Sequence, residues 1–345
     1  MCIRDSPDTI VPEDCFDKCL AFFKMNGQCG ALGVRMIDGS GEFLKESKRS
    51  FPSPLTSLFK ITGLAAVFPK SKSIAKYYAG HLPQNKTNEV EVLAGAFMML
   101  TKKTLEKTGG FDEKFFMYGE DIDLSYRIKN EGIKIYYFAD ATIIHFKGES
   151  THKLSAAHIH NFYGAMRLFV KKHYSQKKAL SFSMQAAIAF SVFLSTVTLF
   201  FKKIFAGFKK RIVFSSSKNN TLVVGTHQSF NKLIQILKFA KPPKTLMGRI
   251  STHPQDEESK IGVIKNIDGV IRHNHIDEII FCEEGVGFKK IISITEGIKE
   301  KSFFLYHATG STSIVGSNCK KQQGDYIAVP PQLNSLLETK AAMPL

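Results

Sequence analysis

Between positions 109 and 127 the chain reads GGFDEKFFMYGEDIDLSYR, which sets Glu120, Asp121 and Asp123 close together. They follow the aromatic residues Phe111, Phe115, Phe116 and Tyr118 and open a segment with helical spacing through Leu124 and Ile128. Carboxylates in a helix's first turn sit near its positive end, which favours their ionised form. An ionised carboxylate at a pocket mouth can take a proton from a hydroxyl, the work of a general base. A structural reading competes: a capping acid plus an Asp123–Arg127 pair at i, i+4. It accounts for Asp123 but gives no reason for two further acids beside four aromatics and a glycine.

Such side chains need a frame. Residues 12–26 are expected as a helix, with Pro12 near its first turn and Gly27 beyond its end. Residues 31–37 are expected as a strand, with a hairpin turn at Asp38-Gly39-Ser40-Gly41. Residues 50–88, rich in Pro, Lys and Ser, predict a long mobile loop, a common seat of specificity. A buried strand over 91–101, the acidic helix, a strand over 134–138 and an amphipathic helix over 156–174 complete this half.

The pattern GGFDExFFxYxEDxDLsxR resembles the acceptor and base region of family-2 glycosyltransferases, inverting enzymes of the GT-A fold. It is most similar to the branch with rhamnosyl- and galactofuranosyl-transferases. Three further stretches follow in the family's order. Pro7-Asp8-Thr9 resembles the end of its metal-binding turn, VLAGAFMMLTK at 92–102 the strand flooring the acceptor site, and HFKGEST at 145–151 its late histidine motif. The resemblance covers about residues 7–175. It implies that Asp121 is the base, that Glu120 helps position the acceptor, and that Gly95, Ala96, Phe116, Tyr118 and Asp123 contact the acceptor. It also implies that Asp8 and His145 help hold Mg²⁺ or Mn²⁺ against the departing nucleoside diphosphate. Residue by residue, other readings stay open: Asp8 as a capping acid, His145 as a structural histidine, Gly95 as a bulge and the aromatics as core. In the family a segment carrying the nucleotide-base pocket precedes the metal turn. The chain is therefore expected to begin inside a gene, residues 1–6 to be an artefact without strand pattern, and the fragment alone to be inactive.

The length of 345 residues suits two domains. Lys and Arg number 47 against 31 Asp and Glu, a net charge of +16, which implies an anionic partner. The usual nucleic-acid-reading motifs are missing, and the basic residues gather around one apolar segment, which favours a membrane. Residues 179–201 run 23 positions without a charge, enough to cross a bilayer core of about 30 Å. Lys177, Lys178, Lys202 and Lys203 bracket them, and positive charge on both flanks gives no orientation. A crossing, a re-entrant or interface-lying helix and a buried soluble helix all stay open. The six cysteines show no metal-type pairing; Cys15 and Cys19, at i, i+4 near Phe22 and Phe23, read as core in a reducing compartment.

Residues 219–332 restart as alternating strands and helices, which predicts a parallel, doubly wound sheet. This part is similar to the Rossmann-type domain at the front of polyprenyl-phosphate sugar-phosphate transferases. After Gly225 come Thr226-His227-Gln228-Ser229-Phe230, without the glycine fingerprint of a dinucleotide site. A regulatory, assembly or self-associating module is expected there. The expected fold is α/β: a partial GT-A domain over 7–175, a membrane-associated helix and basic linker over 176–212, the Rossmann-like domain, and a tail over 333–345. Three functions are weighed. The first is an inverting glycosyltransferase at the cytoplasmic face of the plasma membrane. It would move a sugar from a nucleotide-diphospho-sugar to a lipid-linked or polysaccharide acceptor of a bacterial surface glycan. The second is a non-catalytic, membrane-bound assembly module. The third, a sugar-phosphate transferase, rests on the C-terminal resemblance alone and lacks that family's catalytic segment.

Overall fold

The computed structural model describes residues 2–5, 9–53, 55–56, 59, 64–146, 156–209, 220–240, 243–253, 260–298, 303–316 and 325–328. It holds two sheets. The first contains β1 (Cys2–Asp5), β2 (Thr9–Ile10), β3 (Cys29–Ile37), β4 (Asn88–Glu89), β5 (Phe97–Leu100) and β6 (Lys134–His145). Their order is β1-β5-β3-β6-β2, with β4 also paired to β6. Only the β3–β6 pair is parallel; the other pairings in this sheet are antiparallel. Because β3 lies between β5 and β6, it reads as a nearly continuous apolar run and is buried almost throughout. Helix α1 (Cys15–Met25) sets Cys15, Cys19 and Phe22 into a core with Leu32, Val34, Met36, Phe97 and Phe138. These cysteines are free thiols, as are Cys29 and Cys282, and burial pushes the last two up to about 12.

Several elements depart from expectation. Cys2–Asp5 forms a strand, with Cys2 opposite Leu100 and Asp5 opposite Phe97. A ladder built from backbone groups does not require an alternating side-chain pattern. Strand β6 runs on to His145 rather than ending at 138. Its register against β3 jumps from Val34–Phe138 to Arg35–Thr142, so Ala139, Asp140 and Ala141 bulge out. Strand β5 is shorter than expected, and Val92 ahead of it makes a single bridge to Arg49. Within the 50–88 stretch the described residues form α2 (Leu64–Val67) and a 3₁₀ turn at Lys76–Tyr78 that ends on Ala79 at φ 44. Lys48 is buried beneath it and donates to the carbonyls of Ala79 (2.8 Å) and Leu82 (2.7 Å). Burial lowers its pKa to about 8.

Helices α3 (Lys102–Thr108), α4 (Glu120–Asn130), α5 (Ala156–Tyr174) and α6 (Lys178–Lys209) follow. Helix α3 starts on Thr101, whose hydroxyl accepts from the Thr104 amide, and stops at Gly109, φ 74. Helices α5 and α6 pack as a hairpin through Val170, Met184 and Ile188, and the Tyr163 and Ser195 hydroxyls lie 2.9 Å apart. The stretch Lys178–Phe201 of α6 is long and apolar enough to cross a membrane.

The second sheet contains β7 (Asn220–Val224), β8 (Thr245–Ser251), β9 (Lys260–Val263), β10 (Glu278–Cys282), β11 (Phe303–His307), β12 (Ser313–Gly316) and β13 (Asp325–Ala328). The segment β9-β8-β7-β10-β11 is parallel, while β12 and β13 add antiparallel pairs. Numbered within the unit, the parallel order is 3-2-1-4-5, the doubly wound arrangement expected. Strands β9, β12 and β13, four residues each, were not anticipated. Helices α7 (His227–Leu237), α8 (Ile267–His273) and α9 (Phe288–Gly297) complete the unit.

The two sheets share one core. Ile10, Ile37, Ile144 and Phe146 of the first pack with Phe281, Ile291, Ile292, Phe304 and Tyr306 of the second. The Phe146 and Tyr306 rings lie 5.2 Å apart. The Glu13 carboxylate accepts from the amides of Phe288 (2.6 Å) and Lys289 (3.0 Å) at the start of α9. Arg35 pairs with Glu296 across the same seam.

Candidate active site

Gly119 precedes α4 at φ 83, and a side chain there would press on Phe115 and Ala165. The turn releases Glu120 and Asp121 toward a cavity of about 130 Å³ between α4, α5, Pro52 and Tyr77. Asp121 is 15% exposed at its side chain. Its Oδ2 accepts from Arg49 Nη2 at 2.5 Å and from the Gly95 amide at 3.0 Å. Its Oδ1 accepts from the Ile122 amide at 2.7 Å. A carboxylate oxygen has two lone-pair directions, so Oδ1 keeps one for an incoming hydroxyl.

Arg49 is buried, and its Nη2 also donates to the Leu93 carbonyl at 2.7 Å. Burial works against its charge, but the Asp121 carboxylate and the Tyr77 oxygen outweigh that and raise its pKa. The pair therefore ties the strand-side loop 92–95 to the start of α4. Sequence reasoning missed Arg49, because Lys48-Arg49-Ser50 reads as a solvated basic stretch and contact with Asp121 spans 72 residues.

The other expected site residues divide. Tyr118 lines the cavity, and its hydroxyl lies 3.0 Å from His158 Nδ1. Gly95 contributes through its amide. Phe116 is 82% exposed and does not line the cavity, while Phe115 is core. Ala96 packs into the core beneath β5, so its side chain is not presented to an acceptor.

Asp123 is also corrected. Its side chain is fully buried, with Oδ2 held by Arg127 Nε (2.9 Å) and Nη2 (2.8 Å). Its Oδ1 is held by Lys172 Nζ (2.8 Å) and lies 2.7 Å from His173 Nε2. Burial alone would raise its pKa, but the bonds to His173, Lys172 and Arg127 bring it to about 2. Asp123 is a clasp between α4 and α5, two positions along the helix from Asp121 and so on another face.

Asp8 lies outside the described residues. Its neighbour Thr9 pairs with His145, so the strands that carry the two motifs adjoin. His145 does not line the Asp121 cavity. Among the described residues no three His, Cys, Asp or Glu side chains cluster as a metal site would require.

The sheet, the carboxylate after a positive-φ glycine and the cavity beside it make up the candidate site. Residues 5–164 match the family described as "Glycosyltransferase like family 2". The chain is similar to an N-acetylglucosaminyl-diphospho-decaprenol L-rhamnosyltransferase of Mycobacterium tuberculosis, 28% identical over 148 residues, 43% of this chain and 47% of the relative. It is similar to the rhamnosyltransferase WbbL of Escherichia coli, 37% identical over 57 residues, 16% of this chain and 22% of the relative. A low-salt glycan biosynthesis hexosyltransferase, Agl10, of Haloferax volcanii is 29% identical over 104 residues, 30% of this chain and 29% of the relative. The chain thus spans about half or less of the curated relatives it matches.

Proposed function

We propose that this protein is an inverting glycosyltransferase that moves a sugar from a nucleotide-diphospho-sugar to a lipid-linked glycan acceptor in surface glycan synthesis. The observation that carries the reading is Asp121, seated on the cavity with one Oδ1 lone pair available. The acceptor O–H would give its proton to Asp121 Oδ1 while its oxygen attacks the anomeric carbon from the face opposite the diphosphate. The anomeric carbon–oxygen bond to the diphosphate breaks, and the nucleoside diphosphate leaves. Glu120 and Tyr118, on the cavity wall, would orient the acceptor. Asp8 and His145 are proposed as ligands of Mg²⁺ or Mn²⁺ on the register of Thr9 with His145. The lipid-linked acceptor is supported by the name of the mycobacterial relative.

The same reading sets the protein on the cytoplasmic face of the plasma membrane, with α6 lying in the interface. Two observations support that placement over a crossing. The sheets before and after α6 share one core, so both flanks belong to the same side. Helix α5, which carries Arg167, Lys171 and Lys172, lies along α6 and would be drawn to membrane depth by a crossing. Units over 7–175 and 219–332 are proposed as the catalytic and the regulatory or assembly part.

The test is transfer by the full-length protein from labelled dTDP-rhamnose or a UDP-sugar to lipid extract, with the anomeric configuration of the product read by NMR. Inversion, and loss of turnover on chelation restored by Mg²⁺ or Mn²⁺, are expected. Retention of configuration contradicts the direct displacement.

A further inference from the structure

A second cavity, of about 260 Å³, lies between α5, α6 and the strand-side residues Pro52, Ser53 and Thr56. Its walls are largely apolar, including Phe162, Met166, Phe169, Met184 and Ile188. The size is just below the range of about 300–1,000 Å³ typical of ligand pockets. It adjoins the Asp121 cavity: Pro52, Tyr77, Phe162, Met166 and Phe169 line both. Ser53 and Thr56 also border a third, wider cavity of about 690 Å³, and Arg49 lines both that cavity and the Asp121 one, so the basin adjoins both the slot and the carboxylate. That one carries Arg49, Lys72, Lys76 and Lys129 against Glu89 and Glu91, an excess of positive charge. Glu91 is already engaged by Lys129 at 2.5 Å, while Lys72 and Lys76 are exposed. His81, in the same wall, has its pKa lowered by burial and then by Lys72, Lys48 and Lys76, which marks the local field as cationic.

An apolar slot, a carboxylate and a cationic basin meeting at shared residues match the three parts of one molecule. We propose that the α5–α6 groove holds the apolar chain nearest the head of a polyisoprenyl-diphosphate acceptor. The diphosphate lies in the basin of Lys72 and Lys76, and the sugar hydroxyl reaches Asp121. The proposal rests on the transferase reading above and adds where the lipid enters. The chain comes from the hairpin whose outer helix carries the exposed Phe182, Phe190 and Phe193, so the acceptor need not leave the bilayer surface entirely.

The test needs no turnover. A prenyl diphosphate with a benzophenone at the end of a short chain is photolysed with the full chain in detergent micelles, and adducts are mapped by mass spectrometry. Adducts at Met166 and Met184 are expected. Ala187→Trp, which fills the groove, should cut them about tenfold, the loss of about 1.4 kcal/mol of binding. Lys72→Glu with Lys76→Glu alters exposed residues only. It should remove the advantage of the diphosphate probe over the matching prenyl alcohol while leaving the alcohol's labelling in place. Thermal melting checks that each variant folds. Labelling confined to Phe190 and Phe193, the mark of bulk lipid contact, overturns the groove, as does labelling that Ala187→Trp leaves unchanged. Because sugar transfer is assayed separately, failure of the groove and failure of the transferase reading give different results.

Discussion

Asp121 and Arg49 form the contact on which the chemistry turns. A guanidinium against the Oδ2 edge leaves the Oδ1 edge for the acceptor and fixes the carboxylate plane. Replacing Arg49 with Met should lower kcat, because the carboxylate loses the guanidinium that fixes its plane. Arg49→Lys should keep part of the rate, since it restores the charge without the second bond to Leu93. A kcat in Arg49→Met equal to the parent's would show that the pair does not position the base. The sequence announced the acids but not their directions. Asp121 and Asp123 look equivalent as letters, yet one faces a cavity and the other is buried, because neighbours two apart on a helix do not share a face.

At the scale of elements, the α4–α5 clasp holds one wall of the site. Asp123 is drawn down to about 2 from an ordinary value of 3.8. A depressed carboxylate stabilises the fold above its unfolded pKa, and that contribution fades as pH falls from about 4 toward 2. The shift corresponds to about 2 kcal/mol, to be read by urea unfolding across that window. Asp123→Ala should cost about 3 kcal/mol at neutral pH, since Arg127 and Lys172 lose a buried partner and keep only the Thr108 and Gly110 carbonyls and Asp112. Unfolding midpoints that stay level with pH would contradict the clasp. Long periodic elements were legible: residues 156–174 were expected as a helix and are one. The bulge in β6 was not, because Asp140 inside Ala139–Ala141 resembles a strand end. Four-residue strands such as β9 and β12 lack the length for a periodic signal.

Across the whole molecule, two surfaces decide behaviour: the seam between the sheets and the outer face of α6. Phe146→Ala should destabilise the protein by about 3 kcal/mol and speed amide exchange in α9 and β11, if the seam persists in solution. Unchanged exchange there would mean two independent units. Helix α6 presents Phe182, Phe190, Phe193, Phe200 and Phe201 to the outside. Phe190→Ser with Phe193→Ser should lower partitioning onto anionic vesicles at least about tenfold, since each phenyl ring buried contributes on the order of 1.5–3 kcal/mol. Partitioning equal to the parent would point to another membrane contact. The apolar length of α6 was plain in the sequence, whereas its lie against the membrane depended on which elements pack beside it. That is tertiary information, carried by pairs such as Tyr163 with Ser195 and Phe146 with Tyr306, distant along the chain.

The most direct measurement is single-turnover sugar transfer by the full-length protein carrying Asp121→Asn, with nucleotide-sugar binding followed in the same samples. The amide keeps the shape and the contact to Gly95 but cannot take a proton. Transfer should fall by about 10²–10⁴ while donor affinity stays within about twofold. Transfer at the parent's rate would show that a different group deprotonates the acceptor.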